Sequence, residues 1–341
     1  MAAKNINLAL QGGSTHGSFT WGVLDRLLEE TDLDIVGVSA TSAGAVNGSL
    51  LVYGLLKGGK EEARKVLSEF WEKLAQKSLF SPLNQPTIID RLYAEHPGNM
   101  NFNPVFWFFS TITRLYSPYQ LMPFDINPLR DVLNEIIDFK VLQSSDHPKL
   151  FLSATNVKTG KIKIFSKDEL SIKAVLASAC LPFTFKSVEI NNEYYWDGGY
   201  MGNPALYPLF YNTNCPDLLL VQINPINIPH VPTTAGDIVN TTTRIAFNSS
   251  LMREMRAVLF INSLVAKGFD DGGKLKRAHI HMIEAEDVMN TLNETSKMNL
   301  SGDFLSYLFN IGRQRAHAWI EANYDKIGKE SSCSVEDIFL S

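Results

Sequence analysis

Ile6 to Leu10 is a short run rich in apolar residues that stops at Gly12-Gly13, after which apolar residues recur with helical spacing at Phe19, Val23, Leu24, Leu27 and Leu28. This reads as strand, glycine loop, helix. The pattern repeats at once. Asp34 to Ser39 contains Ile35-Val36-Gly37-Val38, a buried-strand candidate, and after a sharp break Ala43 to Leu56 reads as a helix rich in small residues. Two β-loop-α units in the first 56 residues predict a parallel sheet with helices on its faces.

Further strands are expected at Leu150 to Ala154, Lys161 to Phe165, Leu218 to Ile223 and His279 to Ile283. A charged helix is expected from Glu61 to Lys77, followed by a segment punctuated by Pro and Asn from Ser81 to Pro128. Within it, Phe102 to Phe124 holds eight aromatics, including Phe106-Trp107-Phe108-Phe109. That run reads as a helical insert packed on the core, or as an apolar lid or lipid-facing wall. Beyond about residue 210 the chain reads as mainly helical, with one or two strands and a polar tail. At 341 residues the chain is about twice the usual domain size, yet no linker, repeat or low-complexity tract divides it.

Composition narrows the function classes. With 36 acidic against 31 basic residues, the chain lacks the basic surplus of a nucleic-acid binder. Cys180, Cys215 and Cys333 are odd in number and far apart, which disfavours a disulfide framework and fits a reducing compartment. No C-x-x-C pair offers a zinc site, and no metal or cofactor is expected. The N-terminal apolar run is too short for a signal peptide, and no stretch reaches the roughly 18 apolar residues of a membrane span. The expected location is the cytoplasm, with peripheral membrane contact as an option.

Two loops carry chemistry. Gly12-Gly13-Ser14-Thr15-His16-Gly17 lies between a strand and a helix, where glycines allow a sharp turn and the helix N-terminus offers N–H donors to an anion. A nucleotide phosphate, a dinucleotide pyrophosphate or an acyl-transfer oxyanion would suit it, as would a purely structural turn. The Gly-Lys-Ser/Thr ending of a P-loop is absent, and Ser14 stands where a dinucleotide fingerprint needs glycine. The second loop, Ala40-Thr41-Ser42-Ala43-Gly44, sits between strand and helix like a nucleophile elbow, although Ser42 as a simple helix cap has the same signature. Ser39 and Ser49 do not occupy the turn's apex.

A serine nucleophile needs a base. Asp197, after the aromatic stretch Tyr195-Trp196 and before Gly198-Gly199, is the best partner, because shielding from water raises a carboxyl pKa toward a useful range. Asp270-Asp271-Gly272-Gly273 is the rival and reads as a solvated loop. His230, His279, His281 and His317 follow Asp197 without a distinguishing context, and His16 belongs to the glycine loop, where it can neutralise an anionic substrate group.

The glycine loop, the Ser42 elbow and Asp197-Gly198-Gly199, in that order, with Ser178-Ala179-Cys180-Leu181-Pro182-Phe183-Thr184-Phe185 ahead of the last, resemble the patatin-like phospholipase family over roughly residues 6 to 210. Ser14 and Ala40 stand where that family usually carries glycine. The resemblance implies a three-layer α/β/α sandwich with a mainly parallel sheet, and lipid acyl hydrolysis by a Ser-Asp dyad without histidine. It also implies Ser42 as nucleophile, Asp197 as base, and an oxyanion hole of amides around Gly12, Gly13 and Ser14. The expected organisation is a catalytic domain over 6–209, with a helical insert at about 60–146, and a mainly helical C-terminal extension over 210–341 packed on it. The substrate would be a phospholipid or another acyl ester. The alternatives are a non-phospholipid esterase, a thioesterase, a polyester depolymerase, or a non-catalytic lipid-binding protein of the same fold. Membrane contact is expected through Met252 to Lys267, an apolar helix bearing Arg253, Arg256 and Lys267, if that helix does not pack on the core.

Overall fold

The computed structural model describes residues 3–121, 127–269, 272 and 275–340. Its strands are β1 (Lys4–Leu10), β2 (Leu33–Ala40), β3 (Lys149–Asn156), β4 (Ile162–Phe165), β5 (Val188–Ile190), β6 (Glu193–Asp197), β7 (Asp217–Val221) and β8 (His279–Ile283). They form one sheet in the order β5-β6-β3-β2-β1-β7-β8, with β4 paired to β3. The β1–β2, β2–β3, β1–β7 and β7–β8 pairs are parallel, and β3–β4, β3–β6 and β5–β6 are antiparallel. All six strands expected from apolar runs are present. The β5–β6 hairpin was not expected from the sequence.

The helices are α1 (Gly17–Leu27), α2 (Ala43–Ser78), α3 (Ile88–Tyr93), α4 (Pro104–Leu115), α5 (Pro118–Leu121), α6 (Pro128–Ile136), α7 (Phe139–Gln143) and α8 (Ile172–Ser178), then α9 (Tyr207–Asn212), α10 (Ala235–Ala266), α11 (Glu286–Met289), α12 (Gly302–Asn323) and α13 (Val335–Phe339). Gly58 and Gly59 leave helical geometry inside α2 and divide it where the sequence separates Ala43 to Leu56 from Glu61 to Lys77.

Alternation along the strands builds the layers. Leu8 and Leu10 of β1, Leu150 and Leu152 of β3, and Leu219 and Val221 of β7 enter one core with residues of α1, α2, α8 and α12. Ala9, Phe151, Leu218 and Leu220, the residues between them, enter a second core with Leu209 of α9, Leu251 and Met255 of α10, and Val335 and Phe339 of α13. The result is the expected three-layer α/β/α sandwich with a mostly parallel sheet.

Residues beyond 210 supply β7 and β8 to this same sheet and helices to both of its faces. α12 packs on α1 through Trp21 and Phe309, whose ring centroids are 4.1 Å apart, and through the Asp25–Arg313 ion pair. The polar tail expected from sequence includes a short amphipathic helix: Val335 and Phe339, four residues apart, are buried on one face of α13 against α10, while Glu336 and Asp337 are exposed. The Met252 to Lys267 stretch lies within α10 and its continuation, and α10 buries Met255 and Val258.

Candidate functional site

Parallel pairing sends the chain ends of β1 and β2 out of the same sheet edge, so the glycine loop and the Ser42 elbow emerge side by side. Register adds the carboxyl group. Ala40 pairs with Leu152 on one side of β3, and Asp197 pairs with Ala154 on the other, so Asp197 lies at the level that Ser42 reaches two residues past Ala40.

The elbow is tight. Ser42 takes φ 56° and ψ −123°, a left-handed conformation that costs a non-glycine residue energy. A Cβ on Gly44 would lie 2.2 Å from the Leu10 carbonyl oxygen, so only glycine lets the N-terminus of α2 seat against the end of β1. Ser42 N–H donates to Ser178 Oγ at 2.9 Å, and Asp197 N–H donates to the Cys180 carbonyl at 2.8 Å. The segment that begins at Ser178 therefore holds both candidate residues. Ser39 and Ser49 are buried and donate to the carbonyls of Ala205 and Ala45.

Asp197 is fully buried; its Oδ1 accepts from Gly199 N–H at 2.7 Å. Loss of water pushes its carboxyl up to about 7, against the lowering effects of the Gly199 amide and the Ser42 hydroxyl. Ser42 thus lies close enough to act on the carboxyl. Oδ2 nevertheless has no hydrogen bond of ordinary length and angle, so the Ser42 hydroxyl acts on the carboxyl from beyond that range.

The glycine loop is fixed from outside the family of motifs that announces it. Gly12 N–H donates to Asn203 Oδ1 at 2.7 Å, and Asn224 Nδ2 donates to the Gly12 carbonyl at 2.7 Å. Buried Gln11 accepts through Oε1 from the amides of Ile223 and Asn224. Of the three amides expected to form an oxyanion hole, that of Gly12 is engaged by Asn203. Among the described residues, the N–H groups of Gly13 and Ser14 carry no hydrogen bond. Ser14 has φ 53°, so a serine occupies the left-handed position that glycine usually fills.

An apolar cavity of about 340 Å³ opens at Ser42 and is bounded by Ser14, Phe70, Trp71, Leu74, Phe109 and Leu181, among others. No histidine lines it among the described residues. His281 pairs with Asp217 at 3.0 Å, His279 lies 3.4 Å from the same carboxylate, and His317 is 3.3 Å from Glu321. His16 does not line this cavity. Its Nε2 is 2.8 Å from Ser296 Oγ, and burial together with Lys297 lowers its pKa to about 3, so at neutral pH the ring is uncharged and cannot neutralise an anion. Asp270, Asp271 and Gly273 of the rival acid motif lie outside the described residues, as does Phe124 of the aromatic run.

Asn203, Asn224, Ser178 and Lys297 join the site without having been identified from sequence as site residues. Ser178 stands in the stretch ahead of Asp197 that carries the family resemblance, and Asn203 follows the Asp197 motif closely in sequence. No cluster of potential metal ligands occurs among the described residues.

The solved structure of VipD from Legionella pneumophila matches with a TM-score of 0.41 and 14% identity, over 100% of this chain and 73% of that one. The type III effector protein ExoU matches with a TM-score of 0.29 and 15% identity, over 92% of this chain and 53% of that one. No curated protein matches in sequence. The profile described as Patatin-like phospholipase matches residues 8–210, well over half of the 341 residues, and spans the glycine loop, the elbow and Asp197. The chain belongs to the patatin-like phospholipase family, a family of lipid hydrolases.

Proposed function

We propose that this chain cleaves carboxylic esters of lipids through an acyl-enzyme, with Ser42 as nucleophile and Asp197 as general base. The observation that carries the reading is a buried carboxyl with one unpartnered oxygen beside a serine hydroxyl at the mouth of an apolar cavity. Asp197 accepts the Ser42 proton as the serine oxygen attacks the ester carbonyl. Negative charge then develops on the carbonyl oxygen, where the amides of Gly13 and Ser14 stabilise it, each worth roughly 3 to 4 kcal/mol in such a role. The tetrahedral intermediate collapses, the leaving alcohol takes the proton from Asp197, and water repeats the sequence on the acyl-enzyme.

The base must be ionised to act, so kcat/KM on p-nitrophenyl butyrate is expected to rise about tenfold per pH unit and level off above an apparent pKa near 7. Absence of hydrolysis would remove the function. A profile levelling near pH 4, the range of an ordinary exposed carboxyl, would remove Asp197 from the role of base.

Peripheral membrane contact is the second part of this reading. Asp90 of α3 accepts from Phe102 N–H, and Asn103 at the start of α4 donates to the carbonyls of Pro82 and Gln85, which joins α3 and α4 into one rim. Leu83 and Phe109 of this rim line the cavity, while Ile88, Leu92, Tyr93 and Phe108 are exposed. Such an apolar group beside a lipid-sized cavity favours the α3–α4 face as the bilayer contact over α10. No helix among the described residues is long and apolar enough to cross a membrane. In liposome flotation the parental chain should float at low and high salt, and Leu92→Asp/Phe108→Asp should remain in the load fraction. Loss of parental flotation at high salt, with the double variant behaving alike, would return the contact to the basic residues of α10.

A further inference from the structure

Beside the apolar cavity lies a polar one of about 430 Å³, bounded among others by Arg244 and Lys297, by Asn240 and Asn293, and by the carboxylates of Glu95 and Asp237. Lys297 lines both cavities, and its carbonyl accepts from Thr15 Oγ1 at 2.7 Å, which ties it to the glycine loop. Its ammonium donates to Asn240 Oδ1 at 2.9 Å. Arg244 makes only a long contact to Thr241, one turn away on α10. Neither cation forms an ion pair with a described residue; Glu294 and Glu286 act on them from beyond that range.

Burial and the charge of Arg244 lower the Lys297 ammonium to about 8, so it still carries its charge at neutral pH. Holding two like charges together in a partly dehydrated pocket is unfavourable unless an anion neutralises them. The location restricts which anion fits. An anion in the polar cavity would share Lys297 with an acyl chain in the apolar cavity, whose lining also includes Ser42.

We propose that Lys297 and Arg244 form a phosphate-binding subsite that receives the phosphodiester of a glycerophospholipid head group and so sets the preference for phospholipid over neutral acyl ester. The inference rests on the hydrolase reading above and deepens it. Both residues lie outside the segment that matches the family profile, so the selectivity is built by the later part of this chain. The two cations give charge-assisted contacts to the phosphate oxygens, and a neutral diacylglycerol leaves them only the more distant carboxylates of Glu294 and Glu286.

The test measures the full chain on mixed micelles carrying phosphatidylglycerol or a diacylglycerol with the same acyl chains. The readout is the ratio of kcat/KM between the two lipids. Lys297→Met and Arg244→Met are each expected to lower that ratio by about tenfold or more, and Lys297→Arg to restore most of it. An unchanged ratio in both methionine variants overturns the subsite. If those variants fail to fold by circular dichroism, competition on the parental chain decides, with p-nitrophenyl butyrate as reporter. Stronger inhibition by glycerophosphoglycerol than by inorganic phosphate supports a lipid head group. Equal or stronger inhibition by inorganic phosphate, or none by either, overturns the assignment. Failure of the hydrolase reading looks different, because the parental chain would then cleave neither lipid nor the reporter ester.

Discussion

Ser42→Ala is expected to lose all labelling by a fluorophosphonate probe and to lower kcat on p-nitrophenyl butyrate on the order of 10^6-fold, the scale on which serine hydrolases depend on their nucleophile. The fold should survive, because alanine keeps the Cβ and the same strained backbone while Ser178 Oγ still receives the residue 42 amide. A stability comparison tests whether that strain is retained for function. Left-handed backbone at a non-glycine residue costs about 1 to 3 kcal/mol, so Ser42→Gly should be as inactive as Ser42→Ala yet more stable by about 1 kcal/mol after the extra freedom of glycine in the unfolded chain is subtracted. Urea denaturation of the three proteins gives the order directly: glycine above serine, and serine level with alanine. Probe label on Ser42→Ala at the parental level would place the reactive residue elsewhere. A folded parental chain that takes no label would favour the lipid-binding alternative.

How far the sequence could anticipate this site depends on how local each cause is. The elbow and the glycine loop are set by backbone sterics within a few residues, so Gly12-Gly13 and Thr41-Ser42-Ala43-Gly44 announce themselves. β1, β2, β3 and β7 were legible because both faces of a central strand are buried and read as apolar runs, whereas β4, paired only to β3, and the edge strand β8 showed as short isoleucine-containing runs. The β5–β6 hairpin was missed because Glu193–Asp197 is only partly buried and reads as an aromatic stretch. The usable signal was Asn191-Asn192, with φ 53° and 64°, since asparagine favours the positive-φ turns that close hairpins. The supports of the glycine loop were not legible at all. Asn203 and Asn224 reach Gly12 across more than 190 residues of chain, and nothing near Gly12 indicates that its N–H is already taken. The same holds for His16. As a histidine in an anion loop it reads as a cation, and only the tertiary enclosure beside Lys297 and Ser296 makes it neutral.

Asp197→Asn is expected to lower kcat/KM on the order of 10^4-fold at about pH 8 while making the protein more resistant to urea at the same pH. The amide oxygen can still accept from Gly199 N–H, but an NH2 group then faces Ser42 where Oδ2 stood, and it cannot take a proton. The stability gain follows from the direction of the pKa. The carboxyl rises from 3.8 unfolded to about 7 folded, so the native state binds the proton more tightly and loses stability as pH climbs through that interval. Above pH 7 the buried charge costs about 4 kcal/mol relative to an unperturbed carboxyl. Asparagine removes that cost but leaves a poorly satisfied NH2, itself worth about 1 to 3 kcal/mol, so the net gain near pH 8 should be about 2 kcal/mol. Near pH 4 both proteins carry a neutral side chain in the folded state, and the gain should vanish or reverse. A gain of the same size at pH 4 and pH 8 would mean that the folded-state carboxyl titrates normally. An inactive variant with no pH-dependent gain would leave Asp197 necessary for activity but not as a desolvated base.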